Sequence, residues 1–435
     1  MKNINTIICL LFLSLQVMGQ SPIIVASGLF DSSDANTLGL SKPEGLTTVS
    51  VYKPTVSSTY QFVNGVAMIG FKGALYCMWQ TSKTDEDASE TWVAYARSVN
   101  DGLTWSEPMV LCPSLEGSGY TSSGGWLSTS DMLIGFINVW PTGINSDGGY
   151  TQYVQSNDGV SWTSPQDVTM SDGSRLNGIF EQDPHVISSG RIVNAAHFQP
   201  GLKVMPIYTD DPTGRSGWHK GNFAYSGTGT QSNELEPSLF ERPSDKALVM
   251  LFRDQGGSSY MRLAAVSEDQ GETWTNAVKT NYPDSRSKQS AGNLPDGTCF
   301  ISGNPTGNKN RKPLTVGLSA DGITFDHAWL LRDANEVAAG PRYSGKAKRS
   351  GYGYCKSLVA GDYLYVCYST NKEDVEYSRV PLKSIALIAP SKPTGINEIS
   401  SSDNKTIKTY NLLGQQVNEN YRNIIIKNGK KYFKY

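Results

Sequence analysis

Hydrophobic positions along the chain fall in short clusters rather than long stripes. Runs rich in Val, Ile, Tyr, Phe and similar residues, such as 74–80 (Ala-Leu-Tyr-Cys-Met-Trp-Gln) and 247–252 (Ala-Leu-Val-Met-Leu-Phe), are bounded by turn residues. No long stretch keeps a 3.6-residue period, so the pattern predicts strands joined by hairpins throughout. Between the runs one polar phrase returns: Ser98-Val-Asn-Asp101-Gly-Leu-Thr-Trp105, Ser156-Asn-Asp158-Gly-Val-Ser-Trp162, Ser267-Glu-Asp269-Gln-Gly271-Glu-Thr-Trp274 and Ser319-Ala-Asp321-Gly-Ile-Thr-Phe325. A worn copy, Asp211-Pro-Thr-Gly214-Arg-Ser-Gly-Trp218, fills the gap between the second and third. The lead aspartates are spaced 57, 53, 58 and 52 residues apart, the signature of a repeat array. In each copy the aspartate can accept backbone N–H bonds across a tight turn, the glycine supplies a positive φ, and the aromatic ring packs back onto the strands. Each unit therefore reads as a small antiparallel sheet locked at one hairpin. Six units of about 55 residues would fill 47–385, the sixth without a lock, and closing them in a ring leaves only short sheet edges. The expected fold class is all-β, a six-bladed β-propeller with a small C-terminal β domain.

The repeated phrases resemble the Asp-box (BNR) repeat of the sialidase superfamily, in phase over most of the chain. The resemblance implies that the box aspartates are structural and that ligands bind at one mouth of the central channel.

The two ends of the chain differ from its body. Lys2, the apolar run 7–17 and the ending Val17-Met-Gly19-Gln20 have the three regions of a secretory signal peptide over residues 1–20. Cys9 has no small-residue lipobox before it, and no later segment is apolar for long enough to predict a membrane span. From Gly395 the chain carries seven Lys+Arg against three Asp+Glu, whereas residues 21–394 carry 30 against 37. Thr409-Tyr-Asn-Leu-Leu-Gly-Gln-Gln-Val417 and Ile424-Ile-Ile-Lys-Asn-Gly-Lys-Lys-Tyr432 resemble the sorting domain of the Bacteroidetes type IX secretion system, assigned to 395–435. The resemblance implies type IX machinery as a partner and a secreted or cell-surface location, with the propeller at 21–394. The acidic body and the lack of a reader motif argue against nucleic acid. Five cysteines follow Cys9. Cys355 and Cys367 flank a turn at Ala360-Gly361-Asp362, where a disulfide or two buried thiols would both fit.

Candidate chemistry follows from the sialidase resemblance. Glu236-Pro-Ser-Leu and Leu248-Val-Met-Leu-Phe-Arg253 resemble a strand pair that opens on a glutamate and closes on an arginine. Gly303-Asn-Pro305 followed by Arg311-Lys-Pro-Leu-Thr-Val resembles the segment that delivers a further carboxylate-binding arginine. Gly353-Tyr354-Cys-Lys-Ser-Leu-Val359 before Leu364-Tyr-Val-Cys-Tyr368 resembles the pair carrying a tyrosine nucleophile. The resemblance thus implies Tyr354 as nucleophile, Glu236 as the base that takes its proton, and Asp85 or Asp87 in Thr84-Asp-Glu-Asp-Ala as the acid. Arg253 and Arg311 would select an anionic sugar, because a guanidinium fork pairs bidentately with a carboxylate.

Two departures reshape that expectation. The Arg-Ile-Pro phrase of the first strand is replaced by Tyr60-Gln61-Phe-Val-Asn64-Gly, and the glutamate after the last strand's tyrosine by Ser369. In the family these two groups support each other, so Gln61 and Asn64 become candidate substrate contacts in an altered carboxylate pocket. Arg342-Tyr-Ser-Gly-Lys346-Ala-Lys348-Arg349 is the densest positive cluster outside the tail and a candidate extension of an anion-binding mouth. His185 and His197 leave a second chemistry open: a histidine and a tyrosine acting as base and acid on a uronate would give β-elimination. No metal spacing or cofactor motif is present in the sequence. The expected function is a glycoside hydrolase of sialidase type on a carboxylated oligo- or polysaccharide. A lyase for uronate-rich polymers such as ulvan, or a non-catalytic glycan-binding propeller, are the alternatives.

Overall fold

The computed structural model describes residues 21–388 except 116, 142–147, 228 and 258, together with the strands Thr409–Asn411, Gln416–Val417, Asn423–Lys427 and Lys430–Lys434. The leader assigned to 1–20 lies outside the described residues. The chain divides into two units, Met1–Ala389 and Pro390–Tyr435. In the second, the four strands form one antiparallel sheet.

The first unit is a ring of six antiparallel sheets. Their innermost strands are Phe62–Phe71, Tyr120–Ser128, Gly178–Phe180 with His185–Val186, Glu234–Glu241, Ser290–Asn293 and Tyr352–Ala360. Five blades take their strands in chain order. The sixth takes its outermost strand from the other end of the unit, where Thr47–Tyr52 pairs with Asp374–Pro381. Residue 47 therefore begins the closure of blade six, not blade one. The closing strand satisfies an edge that the ring would otherwise leave open.

The core consists of apolar clusters between successive blades rather than one centre. Tyr76 and Met78 pack with Trp126 and Ile137 between blades one and two, and Tyr365 and Cys367 pack with Cys77 and Trp79 between blades six and one. The box aromatics plug these seams. Trp162 meets Tyr95 of the preceding blade at 5.4 Å between ring centroids, and Phe325 meets Tyr282 at 5.9 Å. The glycines are needed where the turn touches that neighbour: a Cβ on Gly159, at φ 72°, would stand 1.9 Å from the Tyr76 hydroxyl.

All five boxes occupy the hairpin between third and fourth strands of blades one to five. Asp158 accepts the amides of Val160 at 2.8 Å and Ser161 at 2.7 Å, and those bonds hold its carboxyl well below the ordinary range. The first box corrects the sequence reading. There Asn100, not Asp101, accepts from Ser98 Oγ at 2.9 Å and from the Thr104 amide at 3.0 Å, while Asp101 sits at φ 56° like Gln270 at φ 60° of the fourth box. Because innermost strands run away from the end at which Asn64, Glu236 and Tyr354 lie, the box hairpins fall at the opposite end.

The five cysteines of the described residues are buried thiols. Lys356, not Cys355, pairs with Cys367 across the hairpin. Cys355 turns instead toward the carbonyl of Ser302 in blade five, at 3.3 Å, which settles the alternative in favour of thiols.

Candidate active site

At the mouth where the innermost strands begin, three of them are irregular in the same place. The register shifts between Asn64 and Ala67, between Leu235 and Ser238, and between Gly353 and Lys356. In each bulge one residue takes a left-handed conformation: Gly65 at φ 63°, Glu236 at φ 51° and Tyr354 at φ 59°. For Glu236 and Tyr354 this conformation costs on the order of 1 kcal/mol or more each, and a bulge re-aims a side chain out of the sheet alternation. Both side chains line a cavity of 330 Å³, together with Asn64, Asp87, His197 and Arg253.

Arg253, at the mouth end of the strand Leu248–Asp254, donates to Glu236 Oε2 at 3.0 Å and to Gln255 Oε1 at 2.7 Å. Burial alone would lower its pKa, but Glu236 and then Tyr354 beside it raise it, so it stays a cation. Arg311 stacks on the Tyr354 ring, 4.8 Å from its centroid, and is 4% exposed. The Nζ atoms of Lys372 and Lys288 lie 4.9 and 5.5 Å from the same centroid. Three of these four cations have a carboxylate: Arg253 has Glu236, Lys288 has Glu181 at 2.5 Å, and Lys372 has Glu86. Arg311 has none among the described residues. Its hydrogen bond goes to the Arg286 carbonyl, at 3.3 Å.

The two acid candidates separate. Asp87 faces the cavity and accepts from Tyr120 Oη at 2.9 Å; burial, then the adjacent Glu86 carboxylate, push its pKa up. Asp85 does not line the cavity and accepts from the amide of Lys346 at 2.7 Å. Asn64 donates to Glu86 Oε1 at 3.0 Å, and Ser369 Oγ donates to Asn64 Oδ1 at 3.5 Å. The two positions at which the sequence departs from the family pattern thus meet in space, with Lys372 and Glu86 beside them.

Other expected groups are placed elsewhere. Gln61 donates to the carbonyl of Thr55 at 3.1 Å, outside the cavity lining. Arg342 is paired with Glu373 and Asp374, and Lys348 with Glu373, so half of the positive charge of 342–349 is neutralised within the fold. Arg349 has no such partner among the described residues. His185 lines a separate cavity of 460 Å³ at the other end of the innermost strands, where burial lowers its pKa to about 4. His197 belongs to the mouth, yet its Nε2 already accepts the Glu236 amide at 3.3 Å. Glu86, Tyr120, Glu181, Lys288 and Lys372 were not among the sequence candidates. Glu86 sits inside a phrase that was, whereas the lysines follow no motif and reach the mouth only through the turns that carry them.

Residues 73–366 match the BNR repeat-like domain. No curated protein sequence matches the chain. Among solved structures, a protein of unknown function from Dyadobacter fermentans superposes with a TM-score of 0.58 at 16% identity, over 77% of this chain and 99% of that one. NanB sialidase from Streptococcus pneumoniae (a K499G mutant) gives 0.56 at 15% identity, over 77% and 70%. Trypanosoma rangeli sialidase in complex with sialic acid gives 0.55 at 15% identity, over 79% of this chain and 60% of that one. These likenesses establish the propeller fold.

Proposed function

From a chain that belongs to the BNR repeat-like domain family, with a cavity lined by Tyr354, Glu236 and Arg253 and with Arg311 stacked on the Tyr354 ring outside that lining, we propose a glycoside hydrolase of sialidase type acting on a carboxylated glycan. The observation that carries this reading is Arg311. A guanidinium buried to 4% exposure with no counter-anion among the described residues is costly, and a substrate carboxylate stacked beside Tyr354 would supply the missing charge.

In this reading the substrate carboxylate lies between Arg311 and the open side of Arg253. Tyr354 Oη bonds to the anomeric carbon as the glycosidic C–O bond breaks, and Glu236 takes the phenolic proton. Asp87, whose pKa burial and then the Glu86 carboxylate raise, gives its proton to the leaving oxygen. Water then displaces the tyrosine, with Asp87 as base and the proton returning to Tyr354 from Glu236. Elimination draws less support, because His185 stands at the other end of the channel and the Nε2 lone pair of His197 is engaged. The test is turnover of fluorogenic N-acetylneuraminide and uronide glycosides against neutral-sugar controls. Release confined to the carboxylated set, and lost in Glu236→Gln, supports the reading; equal release from neutral sugars overturns it.

Export is part of the same proposal and rests on the leader and the tail phrase. Deletion of 395–435 should strand a folded propeller in the periplasm of a type IX host, and normal surface delivery of the truncated chain would refute the tag.

A further inference from the structure

Glu236 needs a conformation that a glutamate does not adopt on its own, so something must hold it there. Its amide N–H meets His197 Nε2 from blade three at 3.3 Å, and its carbonyl accepts from Gln289 Nε2 of the segment entering blade five at 3.1 Å. Gln289 is itself fixed by a second bond, to the Leu251 carbonyl at 2.9 Å, and by Arg262 Nη1, which donates to its Oε1 at 2.6 Å. His197 is 1% exposed. An imidazole that accepts at Nε2 carries its proton on Nδ1; that nitrogen makes no hydrogen bond among the described residues, and the Glu181 carboxylate, with Oε1 at 3.8 Å, acts on it electrostatically. Glu181 in turn pairs with Lys288, the lysine beside the Tyr354 ring.

We propose that Glu181 and His197 are positioning residues: Glu181 orients the His197 ring as its Nδ1–H tautomer, and His197 Nε2 grips the Glu236 amide and so holds the carboxylate in its left-handed bulge. The inference rests on the hydrolase reading for its consequence in turnover, but not for its geometry. Burial keeps the ring neutral against the opposing pull of Glu181 and Glu236, as an acceptor nitrogen requires. His197→Gln places an amide oxygen where Nε2 stood and retains the acceptor, whereas His197→Leu removes it at similar bulk and leaves a buried N–H unpaired.

Two measurements on the full chain test this. With only four histidines in the chain, ¹⁵N-histidine spectra resolve each ring, and the signal absent from His197→Gln should show the Nδ1–H form. Crystal structures of both variants should show Glu236 left-handed in His197→Gln and released from that region in His197→Leu. On a glycoside that the native protein turns over, kcat should fall about tenfold or more in His197→Leu, with KM little changed and His197→Gln restoring most of the rate. An Nε2–H ring at position 197, or a left-handed Glu236 in His197→Leu, overturns the proposal. So does unchanged kcat in that variant. If the native protein turns over none of the glycosides, the hydrolase reading fails, and the tautomer and the Glu236 backbone still decide the positioning role.

Discussion

Arg311 joins the energetics of the fold to the chemistry of the mouth. A structural arginine would be paired, and its removal would destabilise the protein. An unpaired buried cation reserved for a ligand costs stability until the ligand arrives. Arg311→Met should therefore keep or raise the melting temperature of the free protein while weakening transition-state binding by about 2 kcal/mol or more, roughly thirtyfold in kcat/KM. A lower melting temperature with unaltered kinetics would mark the residue as scaffold. Asp87 gives a second prediction, through pH. Its carboxyl is raised above the ordinary 3.8 of an aspartate by burial and by Glu86. Between those two values the native state holds a proton that the unfolded chain has released. Its contribution is thus fully present below the unfolded value and is lost as pH climbs through the folded one. Asp87→Asn should remove that part of the slope of melting temperature against pH and, with it, the alkaline limb of kcat/KM. A slope identical in both proteins would show that Asp87 is ionised throughout.

At the scale of the element, the box hairpins and the mouth bulges divide structure from function. Gly159→Ala forces a Cβ at positive φ toward the Tyr76 hydroxyl, a seam overpacking of about 1–3 kcal/mol. Denaturant midpoints should register that loss while activity per folded molecule stays constant. In the first box Asn100→Ala should cost about 1 kcal/mol or more, because three side-chain hydrogen bonds go, whereas Asp101→Asn should leave stability within about 0.5 kcal/mol. The reverse order would restore Asp101 as the lock. This pair also shows what was legible in the sequence. The boxes were readable because turn chemistry is local, but an Asn-Asp dipeptide offers two acceptors, and only the two-residue offset from Ser98, matched to Ser156 and Asp158, selects the first. Glu236 and Arg253 were readable because they close one hairpin. Lys288, Lys372 and Tyr120 arrive from different blades, and a meeting point of that kind has no local signature. The 342–349 cluster misled for the same reason, since Glu373, which neutralises Arg342 and Lys348, comes from a turn distant in sequence, between the strands Tyr363–Thr370 and Asp374–Pro381.

For the whole molecule, the six-bladed ring was legible from the repeat period, while its closure was not. Nothing in the sequence 47–52 distinguishes a strand that opens blade one from one that completes blade six; only the pairing with Asp374–Pro381 does. Closure makes the mouth a property of the complete ring, since Tyr354 belongs to blade six, Asn64 to blade one and Glu236 to blade four. The central claim is that this mouth breaks a glycosidic bond by hydrolysis next to a carboxylate. The most direct measurement is mass spectrometry of products formed from a panel of sialylated and uronate-bearing glycans in ¹⁸O-labelled water. The account predicts a saturated sugar acid carrying the label at its anomeric carbon, formed by the native protein and not by Glu236→Gln. An unlabelled product with a conjugated double bond, still formed by Glu236→Gln, would contradict it.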